Sequence, residues 1–490
     1  MDNARRPPPP IRRELTLRAL LTGIAIGALL TPTNVYAGLK IGWSFNLSIT
    51  ALLIGYAFWR PITHTFGGAA WDRYESNISQ TAASSAASII SGGLVAPIPA
   101  YLILTGETLH LVPMTAWVFS VSFLGVWVAW FLRGPLLSDP RLPFPVGVAT
   151  AETIRDIFER GREALLRCWA LGASLLFAAG FTLLDAWVMT MPRLVPTRRL
   201  EQLTFGFDPS LLMLGFGAII GLRTGLSLLL GAVLAWGVLA PALLATEQVV
   251  VVDAEAATAF SPLVEWLIWP GVSLMVAASA ASILRWPSAR RTLAALTAGT
   301  FPWRASGWPV LGLLVAAVLT IGLQIALFDV FWAAAVLAVP MAFVLAAVAA
   351  RVVGETGIAP IGAIGKVAQL SFAATAPGHA TTNLMTANVA GGAAGQCADL
   401  LNDLKTGTLI GASAWRQALA QCGGILTGSV VGSAVFVYMI PRPAEQLLSA
   451  EWPAPAVAVW KAVAETLALG FDSVPASARA AVLVAAVIGL

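Results

Sequence analysis

Residues 306–350 read SGWPVLGLLVAAVLTIGLQIALFDVFWAAAVLAVPMAFVLAAVAA, two apolar runs separated by a single charged side chain, Asp329. A hydrocarbon layer of about 30 Å takes about 20 helical residues to cross, and each run has that length. The same pattern extends over almost the whole chain. Apolar residues make up 58% of the 490 positions, whereas Asp, Glu, Lys and Arg supply 11%, well below the roughly 25% of a soluble domain. A water-soluble fold cannot hide so much apolar surface. The alternation expected of a membrane barrel is missing, so the spanning elements are helices, whose backbone groups are satisfied within each segment.

Apolar runs fall near 15–33, 43–60, 78–104, 112–132, 166–190, 209–222, 225–245, 262–284, 306–328, 330–350, 380–400 and 411–440, with a broken segment around 354–376. The expected architecture is an all-α polytopic transmembrane bundle of about 13 membrane segments, some broken or re-entrant. The net charge of +4 and the pI near 9.2 arise from basic residues in short loops beside spans. They orient the helices and imply no nucleic acid partner. Arg12, Arg13 and Arg18 precede the first run, Arg60 and Arg73 follow the second, and Arg133, Arg141, Arg155, Arg160, Arg162 and Arg167 flank a later even-numbered crossing. Arg285, Arg290, Arg291 and Arg304 follow the eighth run. All fall on one side, which places the N-terminus in the cytoplasm. Residues 1–14, MDNARRPPPPIRRE, read as a basic, Pro-rich cytosolic tail with no signal-peptide cleavage pattern after it. Cys168, Cys397 and Cys422 are far apart and read as packing residues.

Gly38–Ser44 (GLKIGWS) recurs as Gly221–Ser227 (GLRTGLS), each between apolar runs. By the span count the two copies point in opposite directions, which is the mark of inverted repeats with a solute site near midplane where the halves meet. The expected repeats cover about 15–200 and about 205–440, followed by a last part, 441–490. A weaker echo links Ala82–Ile90 (AASSAASII) with Ala277–Leu284 (AASAASIL).

Four segments carry polar chemistry. In Thr31–Ser48, Pro32 and Gly38 interrupt helix regularity, so Asn34, Tyr36 and Lys40 are candidate substrate contacts; Tyr36 also suits a headgroup belt. Glu75–Gly93 opens with Glu75, Asn77 and Gln80 and continues in Ala and Ser, which suits either tight helix packing or a narrow lining. Glu75 reads as a helix N-terminal carboxylate or an ion-coupling group, and Gln80 as a substrate contact. Leu142–Asp156 (LPFPVGVATAETIRD) has two prolines and a glycine before Thr150 and Glu152, either an Arg-rich loop or a broken span with an exposed helix N-terminus. Gly354–Gly411 is the densest: Glu355, Lys366, Gln369, Asn383, Asn388, Gln396, Asp399, Asn402, Asp403 and Lys405 lie among glycines and alanines. Ionisable groups in lipid cost several kcal/mol unless paired or facing a wet cavity. Asn388, Gly392 and Gln396 share one helix face, with Asp399 about a turn beyond and Asp403 four residues on. Neighbouring carboxylates repel when both are ionised, which suits one of them to load and unload a proton. Asn388 and Gln396 are therefore candidate substrate contacts, and Glu355, Lys366, Asp399 and Asp403 candidate ion-coupling groups. A structural Asp–Lys pair is the alternative.

Gly362–Lys366 is no Walker A loop, because position 367 is Val. His64, His110 and His379 are scattered without an HExxH, and no GxSxG elbow occurs. Neither an enzyme nor a resident cofactor is expected, apart from a proton or other cation as coupling ion.

The stretches NVYAGLKIGWSF (34–45), NISQTAASSAA (77–87), LPFPVGVATAE (142–152), LRTGLSLLLGA (222–232), GETGIAPIGAIGKVAQ (354–369) and GGAAGQCADLLNDLKTGTLIG (391–411), in this order, resemble the bacterial oligopeptide transporter (OPT) family, which includes the yellow-stripe-like metal–chelate carriers. The resemblance implies an all-helical fold with repeat symmetry, and symport of oligopeptides or related chelates with protons as a multi-pass protein of the bacterial inner membrane. The partners so implied are a small-molecule or short-peptide substrate and membrane lipid, with homo-oligomerisation left open. Family members continue through further spans, whereas Ala481–Leu490 (AVLVAAVIGL) reads as the opening of another span, so a shortened bundle is expected. A passive pore and an intramembrane enzyme without a recognised motif are the alternatives to a secondary transporter.

Overall fold

The computed structural model describes residues 14–159, 161–188, 210–249, 260–285, 307–449, 451–470 and 474–490, with a few positions between 194 and 207. Arg12, Arg13, Arg160, Arg290, Arg291, Arg304 and most of the N-terminal tail lie outside the described residues, as do the side chains of Arg162 and Arg285 and of several residues in 277–284. The described residues form α1 (Leu17–Ile41), α2 (Ser48–Phe66), α3 (Arg73–Ala87), α4 (Pro97–Thr105), α5 (Leu111–Leu137), α6 (Pro145–Glu159), α7 (Gly161–Trp187), α8 (Leu211–Ala232), α9 (Ala240–Ala245), α10 (Phe260–Arg285), α11 (Trp308–Phe328), α12 (Trp332–Thr356), α13 (Ile361–Thr375), α14 (Ala380–Ile410), α15 (Ala414–Met439), α16 (Pro455–Leu469) and α17 (Ala476–Gly489).

Eight helical stretches among these residues are long and apolar enough to cross a membrane, and three shorter apolar helices accompany them. Here the structure differs from a count of about 13. The runs at 209–222 and 225–245 belong to one stretch, Leu211–Ala245, because Gly221 (φ 77°, ψ 168°) kinks the chain without opening a loop. Gly38–Ser44, by contrast, closes α1, with Gly42 in the left-handed region and its N–H on the Gly38 carbonyl at 2.9 Å. The two echoed heptads therefore share no local structure. Nor does Pro32 or Gly38 break α1, which runs through both. A proline removes one donor, and the helix tolerates that when neighbouring groups cover the freed carbonyl.

The axis of the bundle is α14. From Thr382 to Leu404 every residue is buried except Asp399, which keeps part of its surface accessible. Against α14 pack α5, α6, α12 and α13, together with the broken segment formed by α3, a 3-10 turn over Ser88–Gly92 and α4. Asp72 caps α3 by accepting from the Tyr74 and Glu75 N–H groups, both at 2.8 Å. The segment breaks at Gly93, whose φ of 116° a residue with a Cβ rarely adopts.

Small residues set the helix spacing. A Cβ on Gly27 of α1 would lie 2.6 Å from the Ala86 Cβ of α3, and one on Gly424 of α15 would lie 2.1 Å from the Ala82 carbonyl oxygen and still closer to Ser85 Oγ. Thus α3 is clamped between α1 and α15 at backbone contact, which lipid-embedded helices achieve only with Gly, Ala and Ser. Gly424→Ala is expected to cost about 1–3 kcal/mol by overpacking, read as a lower thermal midpoint in detergent. Gly215→Ala, whose Cβ would meet nothing within 4 Å, should leave the midpoint unchanged or raise it. Equal effects at the two sites would remove close packing as the basis of the clamp.

Candidate functional site

Polar side chains on α14 meet the broken α3 segment in antiparallel order. Asn388 Nδ2 donates to the Gly92 carbonyl at 3.2 Å. Gln396 Oε1 accepts from Ser91 Oγ at 3.5 Å, Asp399 faces Ser88, and Asp403 faces Gln80 and Ser48. The face expected from the spacing of Asn388, Gly392 and Gln396 is the one in contact, since a Cβ on Gly392 would lie 2.6 Å from the Ser91 carbonyl oxygen. Asp399 and Asp403 are close enough to interact electrostatically.

Several polar atoms here are buried without a protein partner: Gln396 Nε2, Gln80 Oε1, Asn77 Nδ2, Asn402 Oδ1 and Asp403 Oδ2. A buried unpaired polar atom costs about 1–3 kcal/mol, so each of these needs water or another partner to offset its burial. Two members were not legible in the sequence, Gln417 and Gln421 of α15. Gln417 Nε2 donates to the Asp403 carbonyl at 2.7 Å and to Thr81 Oγ1 at 3.3 Å, while both amide atoms of Gln421 lack a partner. Their signal is two amides at i, i+4 just before Gly423 and Gly424, hidden in a run that reads as apolar overall.

The other candidates lie elsewhere. Glu75 is buried at the Arg18 end of the bundle, paired with Arg18 and accepting from Thr16 Oγ1 at 2.5 Å. Arg18 also contacts the stacked rings of Trp59 and Trp71, so Glu75 ties α3 to α1. Tyr36 and Lys40 lie at the opposite end of α1. Lys40 Nζ donates to the Glu451 carbonyl at 2.5 Å and sits 4.7 Å from the Trp452 ring centre, which Tyr36 meets edge-on. Asn34 is fully engaged: it donates to the Ala87 and Phe45 carbonyls at 2.9 and 3.0 Å and accepts from the Phe45 N–H at 3.0 Å, holding the α1–α2 turn against α3. Lys366 is buried beside Trp460, its Nζ 4.7 Å from the ring centre. Glu355 lies at the end of α12, within electrostatic reach of Arg141. The fold therefore gathers Gln80, Asn388, Gln396, Asp399 and Asp403, and leaves Asn34, Tyr36, Lys40, Glu75, Glu355 and Lys366 around them.

Two short helices reach the same region. The loop before α6 is pinned to the end of α12 by the Phe144 N–H on the Gly354 carbonyl at 2.8 Å, and by Asp139, which pairs with Arg141 at 2.7 Å and Arg351 at 3.7 Å. Gly147 then abuts α14, where its carbonyl accepts from Thr406 Oγ1 at 2.9 Å. Meanwhile α13 starts opposite Gly395, against which Ile361 packs. Among the described residues no three His, Cys, Asp or Glu side chains gather as a metal-ion site.

Residues 14–490 match the family described as OPT oligopeptide transporter protein. A putative oligopeptide transporter of Saccharomyces cerevisiae is 24% identical over 92% of this chain and 81% of its own length. A putative oligopeptide transporter of Haemophilus influenzae is 27% identical over 84% of this chain and 72% of its own length. A probable metal-nicotianamine transporter of rice, Oryza sativa subsp. japonica, is 31% identical over 47% of this chain, a match that spans 38% of the rice protein.

Asp139 ties the loop that positions α6 to the end of α12. Hydrogen bonds from Arg141, helped by its charge and that of Arg351, hold the Asp139 carboxyl down at about 2 from an ordinary 3.8. A lowered folded-state value stabilises above the unfolded one and is lost as pH falls through about 2. The thermal midpoint in detergent is expected to fall between pH 4 and pH 2, and Asp139→Asn should flatten that slope. An identical slope in the variant would show that the pin is not Asp139.

Proposed function

The chain belongs to the OPT oligopeptide transporter family, and from that premise we propose that it is a proton-coupled symporter of short peptides or peptide-like metal chelates that works by alternating access. Secondary transport, not catalysis, is the work of this family. The observation that carries the reading is Asp399, the one residue between Thr382 and Leu404 that keeps accessible surface, in the middle of unpartnered buried polar atoms. A carboxylate in the buried core needs water, a cation or a solute beyond its contact with Ser88.

In this reading Asp399 and Asp403 load and unload the coupling ion, while Gln80, Asn388 and Gln396 contact substrate. Glu75, Glu355 and Lys366 serve coupling from the periphery, Tyr36 and Lys40 line the entrance at the Lys40 end, and Asn34 contributes from behind them by holding the α1–α2 turn. The N-terminus lies in the cytoplasm of a bacterial cell and the bundle in its inner membrane, as the arginines at the Arg18 end favour. The full set of about 13 membrane segments, arranged as inverted repeats over about 15–200 and 205–440, belongs to the same proposal, as does assembly into a homo-oligomer. The substrate class follows from the relatives' names: oligopeptides for the yeast and Haemophilus proteins, and a metal chelated by nicotianamine for the plant protein.

Purified protein in proteoliposomes, given labelled tri-alanine or a ferric or cupric chelate, is expected to accumulate solute only under an inward proton gradient. Asp403→Asn should abolish accumulation while leaving counterflow exchange. Flux indifferent to the gradient in the native protein would indicate a passive pore, and gradient-driven accumulation in Asp403→Asn would remove that carboxyl from coupling.

A further inference from the structure

A second group of buried polar side chains lies where α13, α14 and α16 meet, on the face of α14 turned away from the aspartates. Asn383 and Asp399 are 16 residues apart (399 − 383), about 160° round the helix at 3.6 residues per turn. Trp460 of α16 anchors the junction. Its ring fills the notch left by two glycines: a Cβ on Gly365 would lie 2.2 Å from the ring, and one on Gly391 3.7 Å from it. Lys366, next along α13, rests its Nζ 4.7 Å from the centre of that ring, and Gln369, a turn further on, donates from Nε2 to the Trp460 carbonyl at 3.2 Å. Asn383 Nδ2 in turn donates to the Gln369 carbonyl at 2.5 Å.

Lys366, Gln369 and Asn383 are all buried, and each lacks something. Both amides give N–H to a backbone carbonyl, which fixes their oxygen ends, and Gln369 Oε1 and Asn383 Oδ1 have no partner. Lys366 Nζ lies on the ring and bonds neither oxygen nor, among the described residues, any other acceptor. A ring face offsets only part of the cost of taking an ammonium out of water. The carboxylates on the elements packed against α13 are engaged or turned elsewhere. Glu465 of α16 pairs with Lys461 at 2.7 Å, Glu355 of α12 is within reach of Arg141, Glu265 of α10 is exposed, and Asp399 and Asp403 lie on the far face of α14. A buried cation without an anion, beside two buried acceptors without donors, calls for a third party that brings both.

We propose that Lys366, Gln369 and Asn383 form a ligand subsite for an amino-carboxylate end, the carboxylate meeting Lys366 Nζ and the adjacent N–H group meeting the two amide oxygens. The C-terminal residue of a peptide has this pattern, and so has a chelator built from amino-carboxylates. The subsite rests on the transport reading and gives Lys366 its part in it, since the solute brings the anion that the buried ammonium lacks. Gly391, against which Trp460 packs, lies between Asn388 and Gln396 in α14. The subsite therefore stands level with the polar contacts on the opposite face of that helix, with α14 as their common wall.

The test compares binding of labelled tri-alanine and of its C-terminal amide by the full chain in proteoliposomes, with gradient-driven uptake measured on the same vesicles. The native protein should bind the acid about tenfold or more tightly than the amide, the least that a desolvated charge pair contributes. Lys366→Met should bind acid and amide alike, at the native affinity for the amide, and Lys366→Arg should recover part of the preference. An apolar side chain in place of an unpaired buried ammonium should leave the thermal midpoint unchanged or raise it. In a second arm a cupric amino-carboxylate chelate replaces the peptide, and there Lys366→Met should weaken binding by a similar factor; a loss in one arm alone identifies the source of the carboxylate. Peptide and chelate affinities that are both unchanged in Lys366→Met would overturn the subsite, as would a lowered midpoint with acid and amide weakened equally. Gradient-driven accumulation by the native protein would in either case spare the transport reading. A native protein that accumulates neither peptide nor chelate would overturn both.

Discussion

A polar group that lies halfway through a hydrocarbon layer has no bulk water to turn to, and this constraint orders the whole bundle. The helix Ala380–Ile410 carries asparagine, glutamine and two aspartates through the buried core. It is tolerated because the segment Arg73–Thr105 is broken where those side chains need partners. The 3-10 turn at Ser88–Gly92 offers a free carbonyl to Asn388 and hydroxyls to Gln396 and Asp399. A continuous helix there would direct its carbonyls into its own ladder. Gly93, free of a Cβ, makes the break possible.

Close approach is the second condition. The clamp of Gly27 and Gly424 around Ala82 and Ala86 brings α1, α3 and α15 to backbone distance. At that separation Gln417 reaches both Thr81 and the Asp403 carbonyl. Larger residues at those glycines would push the amide out of range. Packing and polar chemistry are therefore a single design: small side chains on one face of α3 hold the helices tightly enough for large amides on another to meet.

The ends of the bundle differ in character. The Arg18 end is tied by ion pairs, Arg18 with Glu75 and Asp139 with Arg141 and Arg351. At the Lys40 end, Lys40 bonds the Glu451 carbonyl and Tyr36 and Lys40 pack on the Trp452 ring. Between the two ends lies the polar contact of α14 with the broken α3 segment.

The amino-acid sequence by itself determined the helical membrane class, the family and the polar density of residues 354–411, because the length and apolarity of spans and the cost of burying charge are local properties. The shared face of Asn388, Gly392 and Gln396 was also legible, since helical spacing alone places those residues together. Which polar residues face one another was decided only by the tertiary structure. Asn34, whose amide is taken by three backbone groups, and Glu75, bound to Arg18, look from the sequence as available as Gln80 or Asp399. Gln417 and Gln421 look like incidental polarity in an apolar run. The kink that merges residues 211–245 and the unbroken path of α1 through Pro32 were likewise invisible. A glycine or proline opens a loop or only bends a helix according to whether neighbouring helices satisfy the backbone groups it frees, and no single segment records its neighbours.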